Sequence, residues 1–222
     1  MLPLSVEPLD PDRLLALSYV PTKRRPAVAA LWRLDAALGG ALTGGREPMI
    51  ARIKLAWWRE ALERLDREEP PAEPVLEALA THVLPALTGS ELARMEEGWA
   101  LLTDPEPLGA EDLEAYARAR GSLLFRYTAR LLGEESPEVE RHGEGWALVD
   151  LARHCSTAED ADVALAAARD KTAPMRWRAP LRPLGMLAIL AARDADPVRP
   201  PWEPRGAPRR IARMLRHRIT GR

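Results

Sequence analysis

An all-α, single-domain protein is what the sequence predicts, and three observations carry that expectation. Apolar residues recur at spacings of three and four along most of the chain, with no run of alternating β-branched residues. Prolines and glycines cut the chain into segments of helix length. The 222 residues are 46% hydrophobic and 29% charged, the make-up of a folded chain able to bury a sizeable core.

Taken in order, helices are expected to begin near Asp10, Arg25, Glu47, Glu73, Ser90, Gly109, Ser136, Glu159, Leu181 and Gly206. The breaks between them are "TGGREP" (Thr43–Pro48), "REEPPAEP" (Arg67–Pro74), "TDPEPLG" (Thr103–Gly109) and "GEESPE" (Gly133–Glu138). Ser90 before Glu91 reads as a cap, and Pro137 suits a first helical position, where its missing N–H costs little. In "IARIKLAWWREALERL" (Ile50–Leu65), Ile50, Ile53, Trp57, Ala61 and Leu65 share one face and are expected to be buried, with Trp58 widening that face beside Leu62. Arg52, Arg59, Glu63 and Asp66 lie on another face. Residues 1–200 form the expected helical domain. After the hinge "VRPPWEPRGAP" (Val198–Pro208), residues 201–222 form a basic tail helix.

Charge and composition exclude several functions. A net charge of −1 gives no global attraction to nucleic acid or to an anionic membrane. Of the 32 basic residues 29 are arginine, a bias that matches GC-rich coding and is weak evidence for phosphate binding. Cys155 is the one cysteine, so no internal disulfide forms and a reducing, cytoplasmic location is expected. The amino terminus lacks a basic region and a long apolar run, so no secretory signal is expected. "PLGMLAILAA" (Pro183–Ala192) is about half of the roughly 20 residues a spanning helix needs.

"GGALTGGREP" lacks the Gly-Lys-[Ser/Thr] ending of a phosphate loop and reads as a helix end and a new start. His154 and Cys155 are adjacent and point about 100° apart on a helix, which argues against a metal site with Asp160 and Asp162. Arg118, Arg120, Arg126 and Arg130 alternate with Tyr116 and Tyr127, but neighbouring acids dilute the stripe, so an amphipathic helix is preferred to a nucleic-acid surface. The tail "RGAPRRIARMLRHRITGR" has seven arginines and no acid, with Ile211, Met214, Leu215 and Ile219 at helical spacing. Arg209, Arg210, Arg213, Arg216 and Arg218 are therefore candidates for docking on a membrane surface or a protein partner. The competing reading is a last helix that packs on the bundle.

"LALSYVPTKRRPAVAALWRLDAAL" followed by "REPMIARIKLAWWREAL" resembles the amino-terminal half of the squalene/phytoene synthase family, through Tyr19, Pro21, Arg25, Pro26, Ala30-Leu31, Glu47-Pro48 and "LAWWREAL". "DLEAYARARGSLLFRYTARLLG" resembles the family's Tyr-x4-Gly helix through Tyr116 and Gly121. "GEGWALVDLAR" resembles the helix leading into its second acidic motif. Within the family the resemblance is closer to a divergent bacterial branch related to a mitochondrial complex I assembly factor.

The resemblance implies a terpenoid-synthase fold around a central cavity. It makes Tyr19, Arg25, Arg33, Arg52, Trp58, Tyr116 and Arg153 candidates for substrate binding. Active members couple two prenyl diphosphates head to head with Mg²⁺ held by two Asp-x3-Asp motifs. This chain departs from both. Aligned on Ala30-Leu31, the first aspartates fall at Gly39, Gly40 and Thr43, with Asp35 one turn early. Aligned through Arg153, the second motif has His154 in place of its first aspartate, and its acidic pair falls at Thr157 and Ala158. The expectation is a catalytically degenerate member without a metal or other cofactor, binding a prenyl diphosphate or lipid, or a respiratory-complex partner, with peripheral contact at the inner membrane. The alternatives are an active transferase using Mg²⁺ with rearranged ligands, Asp35 facing Asp150 or Glu159, and a helical membrane-surface scaffold.

Overall fold

Local capping chemistry sets several helix starts, and they fall close to where the sequence places them. Asp10 caps α1 (Pro11–Ser18), its carboxylate accepting from the backbone N–H groups of Asp12 and Arg13 at 3.0 and 3.2 Å. Glu73 caps α4 (Pro74–His82) through the N–H of Leu76, and Thr157 caps α10 (Ala158–Arg169) through that of Asp160. Pro137 opens α9 (Pro137–Ala152) directly after Ser136. At α5 (Gly89–Ala93) the cap is Thr88, paired with Glu91 in a capping box, and not Ser90. The Ser90 hydroxyl donates instead to Asp66 at 2.6 Å.

The computed structural model describes residues 9–43, 48–84, 86–104, 108–198 and 202–222. The expected helix start at Glu47 and part of the hinge at 199–201 lie outside the described residues. The remaining helices are α2 (Arg25–Thr43), α3 (Pro48–Arg64), α6 (Met95–Leu101), α7 (Ala110–Tyr116), α8 (Leu123–Leu131), α11 (Arg182–Ala195) and α12 (Pro208–Thr220). Among the described residues there is no strand. The all-α expectation holds.

The core is built around α2 and α9. Val28, Leu31, Trp32, Leu34 and Leu38 of α2 are fully buried, and the Trp32 indole donates to Thr128 of α8 at 2.9 Å. A π-helical turn, Ala117–Ser122, joins α7 to α8 and crosses α9 with backbones almost in contact. A Cβ on Gly121 would lie 2.2 Å from the carbonyl oxygen of Gly143, so both positions require glycine. That crossing, with its extra residue per turn, sends the neighbouring Arg120 into the interior.

The expected face of α3 holds at Ala61, Leu65 and the Trp58–Leu62 pair and fails at Ile50, Ile53 and, in part, Trp57. Ala51, Leu55, Trp58, Ala61 and Leu62 are its buried residues, followed by Leu65, whereas Ile50 and Ile53 are 42% and 62% exposed. Trp57 is half-buried and meets Trp58 edge-on, with ring centroids 5.2 Å apart. Adjacent indoles allow two stripes with the same spacing. Only the one through Trp58 also buries Leu55 and Leu62.

The basic tail does not stand apart from the domain. Helix α12 packs on α11 and α1. Arg210 is buried between Asp12 and Asp194, at 2.9 and 2.8 Å, while Met214 and His217 are fully enclosed. The face that docks is therefore the one holding Arg210, Met214 and His217. The expected apolar line ends with Ile219 77% exposed.

Candidate functional site

Six charged side chains from distant parts of the chain meet at one end of the cavity that α2, α9 and the π-helical turn enclose, and they form a closed ring of alternating sign. Arg13 on α1 pairs with Asp10 at 3.3 Å and with Asp35 on α2 at 2.7 Å. Asp35 pairs with Arg120 at 3.0 Å, and Arg120 reaches across to Asp150 on α9 at 2.7 Å. Asp150 is bonded by Arg205, which returns to Asp10 at 3.3 Å. Each carboxylate in the ring has two guanidinium neighbours, and each guanidinium has two carboxylates.

The contacts at Asp35 leave little to spare. Its Oδ1 accepts from Arg120 Nε at 3.0 Å and from the Trp99 indole at 3.2 Å. Its Oδ2 accepts from Arg13 at 2.7 Å and from the second arm of the Arg120 fork at 3.2 Å. Arg120 lies over the face of Trp99, 4.0 Å from the ring centre, with Trp146 at 4.9 Å, and donates to the Tyr116 hydroxyl. Burial pushes the Asp35 carboxyl up, yet Arg120 and Arg13 outweigh it and hold the group below the usual carboxylate range. Asp150 is likewise burdened by burial and held far down by Arg120 and Arg205. Burial pushes the Tyr116 hydroxyl well above its ordinary value.

A cavity of about 440 Å³ opens beside the ring, walled by its six charged residues, by Trp99, Tyr116 and His154, and by leucines such as Leu9, Leu42 and Leu102. Gly39 lies on this wall, where alignment places the first aspartate of the acidic motif. The Trp99 ring occupies the space such a side chain would need, because a Cβ on Gly39 would come within 2.8 Å of it. A second network flanks the first. Asp194 is shared by Arg153 at 2.6 Å and Arg210 at 2.8 Å, and Arg210 also holds Asp12.

The donor set does not fit a divalent cation. Mg²⁺ needs carboxylate oxygens with lone pairs to offer. Both oxygens of Asp35 and of Asp150 already accept from guanidinium groups. Among the described residues no group of three or more His, Cys, Asp or Glu side chains is arranged to hold a metal ion.

Of the residues expected at the site, Asp35, Asp150 and Tyr116 line the cavity. The other candidates do not meet them there. Tyr19 is 37% exposed beneath Arg218, and Arg25 is tied to the carbonyls of Ser18 and Val20. Arg33 is exposed on α2. Arg52 bonds Thr103 at 3.0 Å on a separate surface pocket. Trp58 is a core residue, and Arg153 is a structural partner of Asp194 stacked on Trp202. In the tail, Arg210 is not available for docking, Arg213 pairs with Glu203 at 2.8 Å, and Arg218 lies over Tyr19. Arg209 and Arg216 are exposed. Asp35 and Glu159 do not face each other across a site. Glu159 is exposed in the first turn of α10, outside the cavity lining.

Sequence reasoning missed Asp10, Arg13, Trp99, Arg120 and Arg205. Arg120 has the one usable signal, a cation four residues after Tyr116 and directly before Gly121.

The chain is a helical bundle with inward-facing aspartates on two helices beside a cavity that is charged at one end and lined by leucines elsewhere. The model of the squalene/phytoene synthase family matches residues 7–172, and the chain belongs to that family. No curated protein and no solved structure matches it. Arg205, Arg210 and Asp194 lie beyond the matched residues. Among the described residues no helix is long and apolar enough to cross a membrane.

Proposed function

We propose that this chain is a family member that has exchanged metal-dependent coupling of prenyl diphosphates for binding, with the cavity beside Tyr116 as its ligand site. The observation that carries the reading is the Arg120 guanidinium bridging Asp35 and Asp150. Ionising an allylic diphosphate requires concentrated positive charge at the leaving group, and preorganised electrostatics of this kind is usually the largest catalytic contribution. Here the ring's positive charge is already matched by its own carboxylates. Incubation with labelled farnesyl or geranylgeranyl diphosphate and Mg²⁺ or Mn²⁺ should yield no head-to-head product. Metal-dependent squalene or phytoene that disappears in Asp35→Ala or Asp150→Ala would overturn the proposal.

A second reading, docking to a respiratory-complex subunit, draws on Met49, Ile50 and Ile53, exposed at 65%, 42% and 62% on α3. Ile53→Asp should then abolish co-purification with that subunit while leaving the thermal midpoint unchanged. Undiminished co-purification would remove this reading.

A further inference from the structure

We infer that the cavity takes an uncharged, largely apolar chain with a single hydrogen-bonding head, of the size of a prenyl alcohol, and rejects diphosphates. The inference rests on the binding reading above and specifies its ligand. Three observations support it.

The first is charge balance. Asp10, Asp35 and Asp150 face Arg13, Arg120 and Arg205 on the cavity wall, so the polar end carries no net charge. These groups are bonded to one another in a closed ring. A multiply charged anion would compete with the ring's own carboxylates for each guanidinium and would lie against three carboxylates whose charge already cancels that of the arginines. A neutral head leaves all six pairs in place.

The second is the space. The 440 Å³ cavity shares Leu102, Leu151 and His154 with an adjoining chamber of about 320 Å³ that Leu108, Leu113 and Val163 line. Each chamber lies within the usual range of about 300–1,000 Å³ for small-ligand sites. A chain with its head beside the ring would run past Leu102 and Leu151 along Leu108, Leu113, Val163 and Ala164, in a chamber whose wall also carries Cys155, Ser156 and Asp160.

The third is the hydrogen-bonding capacity left on the wall. Tyr116 accepts from Arg120, so its own hydroxyl proton remains to be donated. His154 contacts the Asp150 carbonyl through Nδ1 at 2.7 Å, which makes Nδ1 the donor and Nε2 an acceptor in the neutral ring. An alcohol can accept from the first or donate to the second. A diphosphate offers acceptors alone.

The test is calorimetric titration of the full chain with three probes: farnesol, farnesyl diphosphate and inorganic pyrophosphate, each with and without Mg²⁺. Farnesol should bind at least about tenfold more tightly than farnesyl diphosphate, Mg²⁺ should not reverse the order, and pyrophosphate should give no heat of binding. Leu102→Trp and Ala36→Leu narrow the cavity from half-buried positions, and either variant that keeps the wild-type thermal midpoint should lose most farnesol affinity. Diphosphate binding equal to or tighter than the alcohol, absence of farnesol binding, or farnesol binding untouched by both variants would each overturn the inference. Product formation from the diphosphate would instead sink the non-catalytic reading, so the two failures are distinguishable.

Discussion

Replacing Arg120 by methionine tests the charge ring at its most connected member. The substitution keeps an unbranched apolar stem but removes the guanidinium that bonds Asp35 at 3.0 and 3.2 Å and Asp150 at 2.7 Å. Asp35 keeps Arg13 and Trp99, and Asp150 keeps Arg205, so neither carboxylate is stripped bare. Breaking a buried pair from one side costs about 3–5 kcal/mol because a charge stays behind in a medium that solvates it poorly. Loss of the stacking on Trp99, 4.0 Å from Arg120, places the expectation towards the upper end. For a chain of this length that corresponds to a thermal midpoint lower by about 6–20 °C. Asp35→Asn on top of Arg120→Met removes the orphaned charge, so the double variant should be more stable than the sum of the single effects.

The pH dependence adds a sign. In the native protein Asp35 and Asp150 are held below their unfolded values, so their contribution to stability is complete above about pH 4 and is lost as pH falls through the folded pKa. Without Arg120 the effect of burial gains on the remaining arginines, so the deficit of the variant should shrink as pH is lowered from 7 towards 5. Differential scanning fluorimetry across that range reads both quantities. A loss below about 1 kcal/mol, or strict additivity with Asp35→Asn, would refute a buried bridging role for Arg120.

Three further predictions follow from the packing. Trp58→Ala should cost about 3–5 kcal/mol in denaturant unfolding, and Trp57→Ala only about 1, mostly the edge-on ring contact; equal losses would contradict the assigned face of α3. Arg210→Ala should destabilise by about 3–5 kcal/mol, whereas Arg209→Ala and Arg216→Ala should stay within about 0.5, and a tail that can be deleted after Ala207 without lowering the thermal midpoint would contradict the docking of α12. His217 is packed against Gly185 and Trp177, and burial lowers its pKa, with Arg182 adding to the effect. The unfolded chain therefore binds the proton first, so stability should fall as pH drops below about 6.5, and His217→Gln should flatten that slope between pH 7 and 5. An unchanged slope would show that His217 does not carry it.

What the sequence determined by itself is local chemistry. A carboxylate or hydroxyl reaching an N–H two or three residues ahead, or a proline supplying its own fixed φ, acts within one helical turn, so the starts at Pro11, Pro74, Pro137 and Ala158 were legible. Family membership was legible for a related reason, since it rests on short ordered strings such as "LAWWREAL" that are read directly from the sequence. The face of α3 was not, because two neighbouring indoles satisfy the same spacing and only the partners on other helices choose between them. Which side of the tail turns inward was not legible, because charge on a helix says nothing about what faces it, and Asp12 and Asp194 turn Arg210 from a surface group into a buried one. The ring itself belongs wholly to the tertiary structure. Its members are Asp10, Arg13, Asp35, Arg120, Asp150 and Arg205, and the pairing of Asp35 with Arg120 spans 85 positions of sequence. Coulomb attraction in a poorly solvating interior depends on distance in space, and only the crossing of α9 by the π-helical turn at Gly121 and Gly143 sets that distance.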